Sequence, residues 1–257
     1  MEDWRDLVFS DAHCHLGSRQ FDGDRDETVK RMLESGVRKA LIICCSEHDL
    51  LEGAKLRDSN PGFRLACSIH PQDLEEDSSP ERLEKLRNDV LGSRADMIGE
   101  TGLDYYSHPH TKEEQMSFFR AQLEMAADLG LPVDVHTRRA AADTLETLKR
   151  YPVRGIIHSY SGSAEMAELY VKQGFCISFG ASVLFKGAKK PAEVIAGMPA
   201  DRLLIETDAP YQSPVRGHRH EPADIVAIYE AVSRIRKTEL RDLTRQVDEN
   251  WERVFSR

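Results

Sequence analysis

The sequence has no long apolar run. The longest, Ala40–Cys45, is far short of the roughly 20 residues that cross a bilayer, which excludes a helical membrane span. It has no excess of positive charge either. Lys and Arg number 35 against 44 Asp and Glu, a formal net charge of −9. That argues against a protein that coats nucleic acid by bulk electrostatics. An enzyme handling one phosphate at a time stays compatible, because only its pocket must be positive. Met1–Asp6 offers no basic n-region and no apolar h-region, so no signal peptide is read there. Cysteine is sparse: five residues, an odd number, with no C-x-x-C pair. Cys44, Cys45, Cys67 and Cys176 sit in apolar, strand-like runs and read as buried, reduced thiols, which makes a cytoplasmic location the expectation. No linker, low-complexity tract or repeat breaks the chain. The glycine signatures G-x-G-x-x-G, G-x-x-x-x-G-K and G-x-S-x-G are all missing, which removes the dinucleotide, P-loop and serine-hydrolase readings.

What is present is an ordinary globular composition, 40% hydrophobic and 31% charged over 257 residues. A chain of this length buries a core without staples. Barrels of alternating strand and helix commonly reach about 250 residues as one domain, so a single domain over 1–257 is expected. Short apolar or β-branched runs mark strands at Leu7–Ser10, Ala40–Cys45, Arg64–Ile69, Met97–Glu100, Val133–His136, Gly155–His158, Phe175–Phe179 and Leu203–Glu206. Amphipathic stretches lie between them, among them Pro80–Leu91, with Ser79 read as its N-cap, and Lys112–Leu129. Gly36, Gly130 and Gly174 stand just past helical patterns, where a helix ends. Eight strands each followed by a helix predict an α/β fold of the (β/α)8 TIM-barrel type.

In such a barrel the chemistry sits at the C-terminal ends of the strands. The histidines follow that rule. In Asp11-Ala12-His13-Cys14-His15, alternation along a strand turns Asp11, His13 and His15 one way and Cys14 the other. The two imidazoles stand about 7 Å apart along the backbone and can close on one divalent ion. Glu100, in Gly99-Glu100-Thr101-Gly102, ends strand 4 with a carboxylate that can bridge two ions. His136 and His158 each end an apolar strand, and Asp208 follows strand 8 in Glu206-Thr207-Asp208-Ala209-Pro210. Taken singly, each is readable as a core or rim residue satisfied by a neighbour. Together, on five strand ends of one barrel, they point to a metal site.

These blocks, in this order, resemble the TatD family of metal-dependent hydrolases. The resemblance rests on D-A-H-C-H-L at 11–16, S-I-H-P at 68–71, G-E-T-G-L-D-Y-Y at 99–106, V-H-T-R at 135–138, H-S-Y-S-G at 158–162 and E-T-D-A-P-Y at 206–211, and it spans nearly the whole chain. It implies that His13 and His15 bind one metal ion with Asp208, that His136 and His158 bind a second, and that Glu100 bridges them. His220 stands where the family usually has Asn, which bears on substrate detail rather than on the metals.

Oxygen and imidazole ligands without thiolate suit Zn2+, Mg2+ or Mn2+. Two ions about 3.5–4 Å apart can carry a hydroxide into an in-line attack, with Asp208 accepting its proton. Arg138, two residues past His136, is a phosphate ligand or a rim arginine paired to an acid. Tyr105, Tyr106, Tyr160 and Tyr211 are candidates to stack on bases or to pack the rim, with Tyr105 preferred as a substrate contact. Arg216, His218, Arg219 and His220 form one local basic patch, and Lys186, Lys189 and Lys190 another. His108 and His110 repeat the H-x-H spacing around Pro109 and read as solvated. With the ligand set filled, His70, held extended by Pro71, is assigned to the substrate side as phosphate contact or proton donor. The expected function is phosphodiester hydrolysis at DNA ends, the family being described as exodeoxyribonuclease. The alternatives are ester or amide hydrolysis, such as deacylation of a mischarged aminoacyl-tRNA, and an inactive metal-stabilised scaffold.

Overall fold

The computed structural model describes residues 7–256; Met1–Asp6, on which the reading of no signal peptide rests, and Arg257 lie outside the described residues. Eight parallel strands stand in sequence order in one sheet: β1 (Phe9–Cys14), β2 (Val37–Cys44), β3 (Phe63–Cys67), β4 (Met97–Asp104), β5 (Val133–Arg138), β6 (Gly155–Ile157), β7 (Cys176–Phe179) and β8 (Leu203–Ile205). The seam between first and last is stitched just beyond β8. The Asp208 N–H donates to the His13 carbonyl at 2.9 Å, and the His15 N–H to the Ala209 carbonyl at 2.7 Å. The result is the (β/α)8 barrel that the alternation predicts. Its helices are α1 (Arg25–Glu34), α2 (Glu47–Ser59), α3 (Glu81–Ser93), α4 (Lys112–Leu129), α5 (Ala141–Leu148), α6 (Ala164–Lys172), α7 (Lys189–Gly197), α8 (Ile225–Arg236) and α9 (Leu240–Phe255). Among the described residues no helix is long and apolar enough to cross a membrane.

Strands covered on both faces read as unbroken apolar runs. Ala40–Ile43 in β2 and Ile156–Ile157 in β6 are wholly buried on that account. The helices bury one stripe each. In α9 the stripe is Leu243, Val247, Trp251 and Val254, at helical spacing. Beside it, buried Asn250 donates to the carbonyls of Ala200 and Leu203 at 2.7 and 2.8 Å, fastening α9 to the base of β8. Gly36, Gly130 and Gly174 take φ of +89°, +67° and +92°, conformations open to glycine at a helix end.

Four local expectations need correction. The first strand does not stop at Ser10, where its apolar run ends, but runs to Cys14, which agrees with the strand alternation read for Asp11 and His13. The third stops early, at Cys67. Buried Gln122 takes Ile69 out of the ladder, accepting its N–H at 2.8 Å and donating to its carbonyl at 3.1 Å. The fourth continues four residues beyond Glu100, to Asp104. Gly102 permits this: a Cβ there would lie 2.0 Å from the His136 carbonyl oxygen, so only glycine lets β4 lie this close to β5. Finally, Ser79 does not cap α3; Pro80 occupies the N-cap, and the Ser79 N–H turns back to Asp77.

Candidate metal centre

Both oxygens of Glu100 are occupied, each by a different group of imidazoles. Oε1 lies 2.6 Å from His136 Nδ1 and 2.8 Å from His158 Nε2. Oε2 lies 3.5 Å from His13 Nε2 and 4.0 Å from His15 Nε2. Asp208 joins the second group, its Oδ1 at 3.5 Å from His13 Nε2 and 3.3 Å from His15 Nε2. Residues from β1, β4, β5 and the segments after β6 and β8 therefore meet at one mouth, as sequence position in a barrel predicts. Asp208 is held there at φ +61°, a backbone state that costs a non-glycine residue on the order of 1 kcal/mol or more. Gln212 donates to its Oδ2 at 2.6 Å.

The donor set fits a cation. It is four imidazoles and two carboxylates with no thiolate, and it lies at the bottom of a cavity of about 730 Å³. The Nε2 atoms of His13 and His15 face each other at 3.2 Å. Two neutral imidazoles placed so cannot both donate, whereas both lone pairs can serve one ion. His136 Nε2 is buried without a hydrogen-bond partner, 3.5 Å from Asp104 Oδ2.

The carboxylates and imidazoles shift one another's titration. Burial opposes charge on His13, and so does neighbouring His158, but Asp134 and Glu100 outweigh both and carry its pKa up to about 10. His158 is likewise raised, against burial, by Glu100 and Glu206. In return, despite burial, the rings of His158, His70, His136 and His13 hold Glu100 well below the usual carboxylate range. Burial opposes the charge of Asp208 too, yet His15, His13 and His158 bring it down to about 2.

Sequence reasoning missed the carboxylates behind the rings. Asp134 Oδ1 lies 3.1 Å from His13 Nδ1, both side chains fully buried. Glu206 Oε1 lies 3.2 Å from His158 Nδ1. Acids at this position fix the tautomer and direction of a ligating imidazole. The signal was available: Asp134 stands two residues before His136, and Glu206 two before Asp208, so strand alternation turns each toward the barrel interior one layer below the ligand. Asp11 is also buried, but it accepts from the Thr207 N–H at 2.9 Å and hydroxyl at 2.6 Å, and so anchors the β8 end rather than a ring.

His70 lies three residues beyond the end of β3. It caps the 3-10 turn Pro71–Glu75 with φ −71° and ψ 143°, the extended state that Pro71 favours. The Gln72 N–H donates to its Nδ1 at 3.2 Å, which leaves the neutral ring's proton on Nε2, 3.5 Å from Glu100 Oε1. Arg138 reaches the cavity with its guanidinium over Tyr106 at 4.2 Å and Nη1 donating to Ser107 Oγ at 3.2 Å. Among the described residues no carboxylate pairs with it. Tyr105 is not brought to the cavity; its hydroxyl donates to Asp143 at 3.0 Å, with Lys112 over its ring. Tyr211 is brought there, half exposed, its ring edge-on to His15. The basic patch after β8 largely dissolves: Arg219 is held by Asp24 and Glu221, and His220 is buried with Nδ1 on the Tyr211 carbonyl. Lys186, Lys189 and Lys190 are exposed.

Comparisons with known proteins show the family and the fold. The family described as TatD related DNase matches residues 10–256. The chain is 33% identical over 250 residues to the uncharacterised metal-dependent hydrolase YabD of Bacillus subtilis, covering 95% of this chain and 98% of that one. It is 31% identical to the uncharacterised metal-dependent hydrolase YcfH of Escherichia coli, covering 97% and 96%. The crystal structure of YjjV, a TatD homologue from Escherichia coli, superposes with a TM-score of 0.90 at 28% identity, covering 96% and 97% of the two chains.

Proposed function

The chain belongs to the TatD family of metal-dependent hydrolases, and from that premise we propose that it is a phosphodiesterase that removes nucleotides from DNA ends at a two-ion centre. The observation that carries this is Glu100, whose Oε2 faces His13 and His15 while Oε1 faces His136 and His158 at 2.6 and 2.8 Å, with His70 farther off at 3.5 Å. On this reading His13, His15 and Asp208 hold one ion, His136 and His158 the other, and Glu100 both. When bound, such ions, Zn2+, Mg2+ or Mn2+, supply Lewis acidity at a phosphoryl oxygen and lower the pKa of water. The chain's own residues do the rest. Arg138, which no carboxylate among the described residues pairs and which Ser107 steadies, binds the phosphate through its planar fork. Asp208, with Oδ2 anchored by Gln212, presents Oδ1 to accept a proton from the attacking water. His70, its Nδ1 fixed by Gln72, donates from Nε2 to the departing oxygen. Tyr211 offers the aromatic face on which a terminal base can stack.

A second reading, hydrolysis of an aminoacyl ester such as a mischarged tRNA, has one feature in its favour. Asp49 and Asp73 line the same cavity, and among the described residues no cation forms a salt bridge with either. They would suit an ammonium group and not a further phosphate. The test is chelation to a verified metal-free chain, then reconstitution with each ion and parallel assays on end-labelled single-stranded DNA and on an aminoacyl ester. Metal-dependent release of nucleotides supports the proposal. Turnover of the ester alone replaces it with the second reading, and full activity in the metal-free chain overturns both.

A further inference from the structure

Outside the barrel mouth, three ligand atoms converge from two separate loops. Glu75 ends the 3-10 turn after β3, and His108 and His110 lie between β4 and α4. His108 Nδ1 is 2.6 Å from Glu75 Oε2, and His110 Nε2 is 3.0 Å from Glu75 Oε1. With one atom taken from each residue, the three lie within 4.8 Å of one another. We infer that Glu75, His108 and His110 form a peripheral site for a divalent ion of the zinc class, separate from the catalytic centre.

Three features favour an ion over a pair of surface contacts. First, His108 Nδ1 is a buried atom that, although close to Glu75, has no partner in hydrogen-bonding alignment. A proton there is not satisfied, whereas the lone pair of the neutral ring can be given to a cation. Second, the scaffold is set in advance. The His108 carbonyl accepts from Gln115 Nε2 at 2.9 Å and from the Thr111 hydroxyl at 3.2 Å, and Gln115 is wholly buried. On the other side buried Leu74 and the His70 cap fix the turn that carries Glu75. Third, the donor chemistry selects the ion. Two imidazoles and one carboxylate match zinc, with a fourth position open to water. Mg2+ and Ca2+ prefer oxygen and are poorly served by imidazole.

The two loops already touch beneath this site. Gln72 Nε2 donates to Asp104 Oδ2 at 2.7 Å and to Ser107 Oγ at 3.3 Å. An ion above would tie them a second time. One loop carries His70 and the other Ser107, which steadies Arg138, so the rim ion would brace the substrate side of the mouth without entering it.

The test is the zinc content of the full chain after dialysis at a fixed, buffered free zinc concentration. His110 is 59% exposed and Glu75 49%, so His110→Ala and Glu75→Gln leave the core intact. The expected result is one zinc fewer per chain in each variant than in the wild type. Exchange of the amides at 105–111 should also slow with zinc in the wild type and not in the variants. The same deficit of one should separate Glu100→Ala from Glu100→Ala/His110→Ala, which keeps the outcome independent of how many ions the centre holds. Equal zinc content in the wild type and His110→Ala overturns the inference.

Discussion

Replacing Asp134 by Asn should weaken one ion and spare the other. Asp134 stands behind His13, its Oδ1 3.1 Å from Nδ1, in a place closed to water. Its Oδ2 has no partner, so the amide removes no second hydrogen bond. What is lost is the negative charge; the amide oxygen can still accept the ring proton and keep the tautomer. Charge-assisted bonds are roughly twice as strong as neutral ones. Loss of such an outer partner typically costs about 10–100-fold in metal affinity, and Asn belongs at the lower end. Tenfold corresponds to about 1.4 kcal/mol. Asp134→Ala, which removes the acceptor as well, belongs at the upper end. Glu206→Gln, behind His158, should show the mirror result at the other ion. The assay is zinc titration against a chromophoric chelator at fixed pH in a His110→Ala background, which removes the peripheral site and leaves the two central ions to be fitted, with thermal melting to establish that each variant is folded. Equal weakening of both ions by Asp134→Asn, or no weakening at all, would refute the pairing of each carboxylate with its own ion.

Arg138→Ala should raise KM on DNA more than it lowers kcat, since its guanidinium is placed to bind phosphate; an unchanged KM with a large loss of kcat would confine Arg138 to the transition state. His70→Ala should retain both ions yet lose on the order of 10²-fold in turnover, and lose less on a nitrophenyl ester that needs no proton on its leaving group. Loss of an ion in His70→Ala, measured by elemental analysis, would make His70 a ligand. Stability should depend on pH differently with and without metal. His13 in the metal-free chain titrates near pH 10, above its usual value of 6.5, so the stability it contributes is complete below 6.5 and disappears as pH rises through 10. A metal-bound His13 is neutral throughout, so the gap in Tm between loaded and metal-free protein should widen from pH 7 to pH 10; a constant gap would contradict the proton-for-metal exchange.

The barrel was legible because its signals are local. Apolar runs such as Leu41–Ile43 and Ile156–Ile157 can be buried on both faces only in a covered parallel sheet. Boundaries were lost where function overrides the pattern. Asp11 and His13 are strand residues, but their polarity makes the apolar run end at Ser10, and Glu100 makes strand 4 seem to end at it when it continues to Asp104. Gly99 and Gly102 would ordinarily argue against a strand interior, yet β4 runs through both because the backbone of β5 lies too close for a Cβ. Glycine there marks close approach, and a single sequence does not state what is approached.

The candidate site was legible to the depth of its proposed ligands and no further, and the reason is geometric. A ligand announces itself by residue type at a strand end. Its supporting carboxylate is an acid inside an apolar strand, as Asp134 is in Val133-Asp134-Val135, which read alone is an anomaly. It acquires meaning only with the register that sets β5 across the barrel from His13, a separation of 121 residues along the chain. The loops follow the same logic in reverse. Arg219 and His220 look like a basic surface because sequence shows their charge and hides Asp24, which lies 195 residues away and takes Arg219 out of play. Arg138 keeps its charge for the cavity because its neighbours are Ser107 and Tyr106, neither of which is acidic. Whether a cation in this chain serves the substrate or the fold is therefore decided by its partner across the barrel, and among the described residues Arg138 reaches the cavity beside the candidate metal ligands with no carboxylate paired to it.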